Sequence, residues 1–148
     1  MLRLSKKADY ALIAMKHLAQ NSPGAQSSNA REIAEHYDIP IELMAKVLQR
    51  LVRTGLLVST QGTRGGYMLS RPAASISVAD VIQAIDGPLT VTACSTEKSD
   101  CEQFSKCSIR DSLWQIRERI AAALGTVTLS EMAAGGEMAS PVAVVRRA

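Results

Sequence analysis

The chain has 148 residues, 47% apolar and 21% charged, which suits one domain with its own core plus an appendage. Its apolar runs reach only about five residues against the ~18 of a bilayer span, and no signal-peptide core opens it, so a cytoplasmic protein with no membrane partner is expected. Residues 1–93 carry 10 basic and 7 acidic side chains and residues 94–148 carry 7 of each, so the net +3 lies in the first part and permits a nucleic-acid partner there; aromatics at 3% argue against stacking platforms for single strands.

Taken in chain order, residues 5–20 predict a first helix capped by Ser5, with Leu12, Met15, Leu18 and Ala19 at helical spacing. The stretch NSPGAQSS is a loop by composition. Asn29, with Glu32 three residues on, starts a short second helix whose apolar face is Ile33, Ala34 and Tyr37. Asp38-Ile39-Pro40 is a tight turn, with Pro40 in a first helical position. The third helix spans 40–54. Met44, Val47, Leu48 and Leu51 form its apolar stripe, and Gly55 is its stop. Two β-prone runs, 56–60 and 67–70, flank the Gly-rich loop QGTRGG and predict a hairpin. A helix over 77–85 follows, capped by Ser77 with Asp80 beyond, its stripe Val78, Val81, Ile82 and Ile85, ended by Gly87-Pro88. Ile109, Leu113, Ile116, Ile120 and Leu124 then repeat at four, three, four and four residues. That is a long amphipathic helix with a seam for a partner helix, stopped by Gly125.

Helix, loop, short helix, tight turn, longer helix and hairpin, in that order, are the winged variant of helix-turn-helix. The fold class expected is therefore mainly α with a small β-hairpin: a winged helix-turn-helix followed by a long C-terminal dimerisation helix. The outward face of the third helix carries Glu42, Ala45, Lys46 and Gln49, flanked by Arg50 and Arg53. A helix so equipped can read base edges in the major groove: Gln49 adenine, Lys46 guanine, Glu42 the cytosine amino group, and Ala45 a thymine methyl. Arg64 on the hairpin tip suits a narrow minor groove. Arg50, Arg53, Ser59, Thr60 and Arg71 are candidates for phosphate contacts.

The three cysteines, Cys94, Cys101 and Cys107, all fall in one polar loop. An odd count is no disulfide framework. The gaps of six and five residues fit neither a zinc ribbon nor a Cys-x-x-Cys redox pair. They leave room to wrap three thiolates around something larger than one ion, which favours an iron–sulfur cluster, 2Fe–2S or 4Fe–4S, over zinc. A fourth ligand then comes from elsewhere or the position stays open.

The opening LRLSKKADYALIAMKHLA, the wing GTRGGYMLSRPA and the block ISVADVIQAIDGPL resemble one family of bacterial winged-helix regulators, the family that contains IscR, NsrR and RirA. The resemblance covers residues 1–132, and the cysteine spacing and the ending TLSEM look most like regulators of SUF iron–sulfur assembly. It implies a homodimer crossing at the long helix, a palindromic double-stranded operator, and Cys94, Cys101 and Cys107 as cluster ligands. It also implies a fourth ligand. Asp9 stands where NsrR-like members use an aspartate from the other subunit, whereas the position of the IscR-like histidine is Arg110, which cannot ligate. As an isolated residue, Asp9 also reads as a first-turn acid favoured by the helix dipole.

The organisation expected is a DNA-binding domain over 1–75, a linking helix and loop over 76–93, the cysteine loop over 94–107, the dimerisation helix and its extension over 108–131, and a flexible tail over 132–148. The function expected is a cluster-dependent repressor of iron–sulfur assembly genes. A nitric-oxide-sensing repressor and a zinc-stabilised DNA-binding protein are the alternatives. An enzyme is not expected: no paired cysteine motif or nucleotide loop exists, and His17 and His36 read as surface or packing residues.

Overall fold

The computed structural model describes residues 3–21, 27–63, 65–92 and 101–135. Among them, six α-helices and one two-stranded antiparallel hairpin follow in the expected order. Helix α1 (Lys6–Asn21) starts where the Ser5 hydroxyl accepts the amide of Ala8 at 3.1 Å. Its buried side is mostly alanine (Ala8, Ala11, Ala14 and Ala19), so neighbouring helices approach closely. Helix α2 (Ala30–His36) is set by a reciprocal capping box between Asn29 and Glu32. Asp38, at φ 53°, makes the left-handed turn that leads into α3 (Ile41–Arg53). Pro40 caps α3 from outside rather than occupying its first turn.

The end of α3 is a Schellman motif. Gly55, at φ 83°, lets Leu56 N bond Leu51 O at 3.0 Å and its own N bond Val52 O at 3.0 Å. Leu51 and Leu56 are both buried beneath it. The chain thus leaves the helix directly into the wing, β1 (Leu57–Thr60) and β2 (Gly66–Leu69), paired from Leu57↔Leu69 to Thr60↔Gly66. Ser28, ahead of α2, adds a backbone bridge to Tyr67 on the far edge of β2. The approach is so tight that a Cβ on Gly66 would stand 2.7 Å from the Ser28 carbonyl. The wing is therefore tied to the start of the helix-turn-helix, not only to the end of α3.

Helix α4 (Val78–Asp86) has the expected cap: Ser77 and Asp80 exchange hydrogen bonds at 3.1 and 3.0 Å. The core lies between α1, α3, α4 and the hairpin, with Met15, Ile33, Met44, Leu48, Leu51 and Leu57 fully enclosed.

Helix α5 (Arg110–Thr126) packs one side on α4 and buries none of its residues. Gly125 was expected to stop it but lies inside the helix, which ends at Thr126 with Val127 extended. A surface glycine inside a helix costs only about 1 kcal/mol. The stop is instead made by pairing, since Val127 O accepts from Val78 N at 2.9 Å and Leu129 N donates to Ile76 O at 2.9 Å. A further short helix, α6 (Leu129–Ala133), follows behind a Thr128/Glu131 capping box. It inserts Leu129 into the core, and Met132 and Ala133 pack beside it. Met132 and Ala133 therefore belong to the folded unit and not to the expected tail. The remainder of that expected tail, 136–148, lies outside the described residues. Among the described residues no helix is long and apolar enough to cross a membrane.

Candidate functional site

Helix α3 divides cleanly in two. Met44, Val47, Leu48 and Leu51 are buried, while Glu42, Lys46, Gln49, Arg50 and Arg53 are exposed and Ala45 is half-buried. The apolar face holds the helix against α1 and α2, so the polar face is presented on a rigid support. The sole acid in the first turn, Glu42, and the bases in the last turn, Arg50 and Arg53, each sit where the helix dipole favours them. Arg50 does more than expected, because its Nε donates to Ala84 O at 3.1 Å and ties α3 to α4.

The wing residues behave less uniformly. Ser59 is exposed, but Thr60 turns its hydroxyl inward, accepting from Gly66 N at 3.1 Å and donating to Gly66 O at 3.3 Å. Arg71 pairs with Asp80 at 3.4 Å. Arg64 lies outside the described residues, as does Cys94.

Cys101 is exposed and Cys107 half-buried, and neither is in a disulfide. They bracket a single 3-10 turn, Phe104–Lys106, in which Phe104 N bonds Cys101 O at 3.0 Å. Arg110 clamps that turn to α5. Its Nη1 donates to Phe104 O at 3.1 Å, and its guanidinium stands 4.5 Å from the centre of the Phe104 ring and 5.8 Å from that of Trp114. The sequence marked Arg110 only as a residue unable to ligate. Its spacing from Trp114, one helical turn on, was the available signal.

Two accessible thiols on a turn fixed from outside are soft donors of the kind iron–sulfur clusters and zinc take, so the donor set fits such a group in type. The described residues supply two of the expected thiols. Asp9 sits half-buried in the first turn of α1, and its carboxylate makes no hydrogen bond or ion pair among the described residues. Among the described residues of one chain, no three His, Cys, Asp or Glu side chains converge on a metal position.

On the other flank of the helix-turn-helix, His17 and His36 are not independent surface groups. Their rings lie 5.5 Å apart, and both contact Tyr37 edge-on. Asn21 Nδ2 is 3.0 Å from His17 Nε2, and His17 Nδ1 is 3.1 Å from Tyr37 Oη. Burial first and the charge of His36 second push the His17 pKa below its ordinary 6.5, with Glu32 opposing. The unfolded chain then binds the proton more readily than the folded one. Stability from this site is complete above pH 6.5 and is lost as pH falls through the folded value. Thermal melts from pH 7.5 to 5 are expected to show a loss that His17→Gln makes shallower. An unaltered profile in the variant would assign the pH dependence to other groups.

The sequence matches the family model "Rrf2: Iron-dependent Transcriptional regulator" over residues 4–135. It is 35% identical over 132 residues to the HTH-type transcriptional regulator IscR of Klebsiella pneumoniae (strain 342), covering 88% of this chain and 79% of that protein. Against IscR of Escherichia coli O1:K1 / APEC it is 34% identical, covering 88% and 80%. The structure superposes on CymR (YrzC), the global cysteine regulator of B. subtilis, with a TM-score of 0.75 at 25% identity, covering 93% of this chain and 100% of that one. It superposes on T. potens IscR with a TM-score of 0.70 at 26% identity, covering 95% and 93%. These relatives are transcriptional regulators and not enzymes, and they share the winged-helix arrangement of α2, α3 and the hairpin. With 132 of its 148 residues matched, the chain belongs to the Rrf2 family of transcriptional regulators.

Proposed function

We propose that this regulator is an iron–sulfur-dependent repressor of cluster-assembly genes, acting as a homodimer on a palindromic operator. The observation that carries the reading is the pair of free, accessible thiols, Cys101 and Cys107, on a turn that Arg110 pins to the first turn of α5. Cys94, Cys101 and Cys107 are the ligands in this reading, with Asp9 of the other subunit as the fourth. Glu42, Ala45, Lys46 and Gln49 read bases, Arg50 and Arg53 hold phosphates, and Arg64 enters the minor groove. Residues 1–75 form the reading head, 94–107 the sensing loop and 108–131 the dimer element.

When bound, the cluster supplies an iron- and oxidant-sensitive tie across the loop. The chain's own contacts carry the consequence onward. Arg110 couples the loop to α5, α5 packs on α4, and Arg50 joins α4 to α3. A change of loop tension therefore has a packed route to the reading helices. Such a route regulates only if the two states differ in operator affinity.

The test is anaerobic purification with a visible spectrum, iron and acid-labile sulfide assays, then operator binding before and after chelation. A brown protein with matched iron and sulfide, whose affinity changes on chelation and whose Cys107→Ser variant is colourless, is expected. A colourless protein with stoichiometric zinc, no sulfide and equal affinity in both states would overturn the reading.

A further inference from the structure

Beside the reading face of α3 lies a cavity of about 270 Å³, closed by the start of α1 and the end of α4. Four cations border it: Lys7 from α1 and Lys46, Arg50 and Arg53 from α3. On α3 these three stand four and three residues apart, so they line one edge of the helix. None of the four forms an ion pair among the described residues, although Arg71, Arg110 and Arg117 all do. The acid that comes from the adjoining end of α4, Asp86, is occupied elsewhere. Its carboxylate accepts from the Ser5 hydroxyl at 2.6 Å and from Ser5 N at 3.4 Å.

The two contacts that build the cavity also aim its donors. The Ser5–Asp86 staple fixes the first turn of α1, and hence Lys7, against the end of α4. The Arg50 Nε bond to Ala84 O leaves Nη1 and Nη2 without a partner among the described residues. Four cations around one hollow, with Arg50 held by its bond to Ala84 O and Lys7 placed by the Ser5–Asp86 staple, are arranged for an anion. Gln49 lines the same hollow and also belongs to the base-reading face, so an anion here lies directly beside the groove being read.

We propose that this cavity seats one backbone phosphate of the operator, gripped by Lys7 across from Arg50 and Arg53, and that Lys7 is a register-setting DNA contact supplied by α1. The inference rests on the DNA-binding part of the reading above and not on the cluster. A phosphodiester has the charge and the acceptors these donors require, and such contacts set position rather than sequence.

The test compares the full chain with Lys7→Gln, Lys7→Arg and Lys6→Gln. Lys6 stands 5.9 Å from the Tyr10 ring and does not line the cavity, so it controls for loss of charge alone. Fluorescence anisotropy is followed from 50 to 200 mM salt on two duplexes, an operator selected from a random pool and a scrambled sequence. For Lys7→Gln the expected result is about an eightfold loss at 0.1 M salt on both duplexes, with the salt slope reduced by about one. Lys7→Arg restores binding, and Lys6→Gln leaves the slope unchanged. Unchanged affinity and slope in Lys7→Gln, or a loss confined to the operator, overturns the proposal. So does a cavity that takes only a free anion, seen as inorganic pyrophosphate raising the melting temperature of the wild type but not of Lys7→Gln while DNA binding is unaltered. A wild type that binds neither duplex defeats the DNA-binding reading itself, and that outcome is visible before any variant is compared.

Discussion

Replacing Ile116 with glutamate is expected to give a folded monomer that binds a full palindromic operator about 10²–10⁴-fold more weakly than the wild type, because the second half-site is no longer delivered at high effective concentration. The argument begins with what α5 fails to bury. Ile109 is 58% exposed and Ile116 45% exposed, and no residue of the helix is buried in one chain. Leu113, Ile120 and Leu124 continue the same seam half-covered. A helix that keeps isoleucines in the open at heptad-like spacing matches the geometry of a coiled pair. Covering each isoleucine in a partner's seam contributes about 2 kcal/mol, whereas a glutamate there must be desolvated without a counter-charge. Ile116 is outside the core cluster, so the monomer should still fold, and its melting temperature should fall only by the stabilisation the lost partner had supplied. Light scattering behind a sizing column, together with anisotropy on half-site and full-site duplexes, reads the outcome. A variant that stays dimeric, or that binds both duplexes as the wild type does, would remove the seam from the dimer interface.

The parts of this molecule that were legible in the sequence are those fixed by neighbours a few residues away. Asn29 with Glu32 and Ser77 with Asp80 announce helix starts because each pair exchanges hydrogen bonds over three residues. Met44, Val47, Leu48 and Leu51 announce a buried face because one helix carries all four, and the face opposite them was correctly assigned to solvent. Most of the failures are long-range. Gly125 looked like a stop because glycine often is one. The true stop is the bridge between Ser77 and Thr128, about fifty residues apart. Thr128-x-x-Glu131 is as good a capping box as the other two, yet the small, aperiodic residues behind it masked a helix one turn long. His17 and His36 read as surface or packing residues, and they pack; that they pack on each other was not legible, because nothing local says that α1 and α2 bring their rings together. Arg110 was visible as a missing ligand but not as a clamp, since its partner is a carbonyl in a turn that only the folded loop creates. The same holds for Lys7, whose place beside Arg50 depends on Asp86 holding Ser5.

Helix α6 carries the second large expectation. Leu129→Ala should lower stability by about 2–5 kcal/mol, the range for removing a leucine from an enclosed site that cannot collapse. Leu129 is 0% exposed, its amide is bonded to Ile76 O, and the helix it opens is capped by Thr128. The neighbours are therefore held in place and the vacated volume persists. Thr128→Ala, which removes the cap but not the packing, should cost about 1 kcal/mol. Urea titrations of the wild type and both variants give the order directly. If Leu129→Ala costs no more than Thr128→Ala, α6 is a surface turn and its place in the core is wrong. The order matters beyond stability. Helix α5 otherwise packs its side against α4 and is clamped by Arg110 at its start. Leu129 anchors its far end to the same core that supports α3. A helix fixed at both ends transmits a change in the cysteine loop as a tilt of the whole element. One fixed only at its start would absorb that change by swinging. Leu129→Ala under conditions where the chain remains folded should therefore reduce the difference in operator affinity between loaded and chelated protein, and not only the melting point.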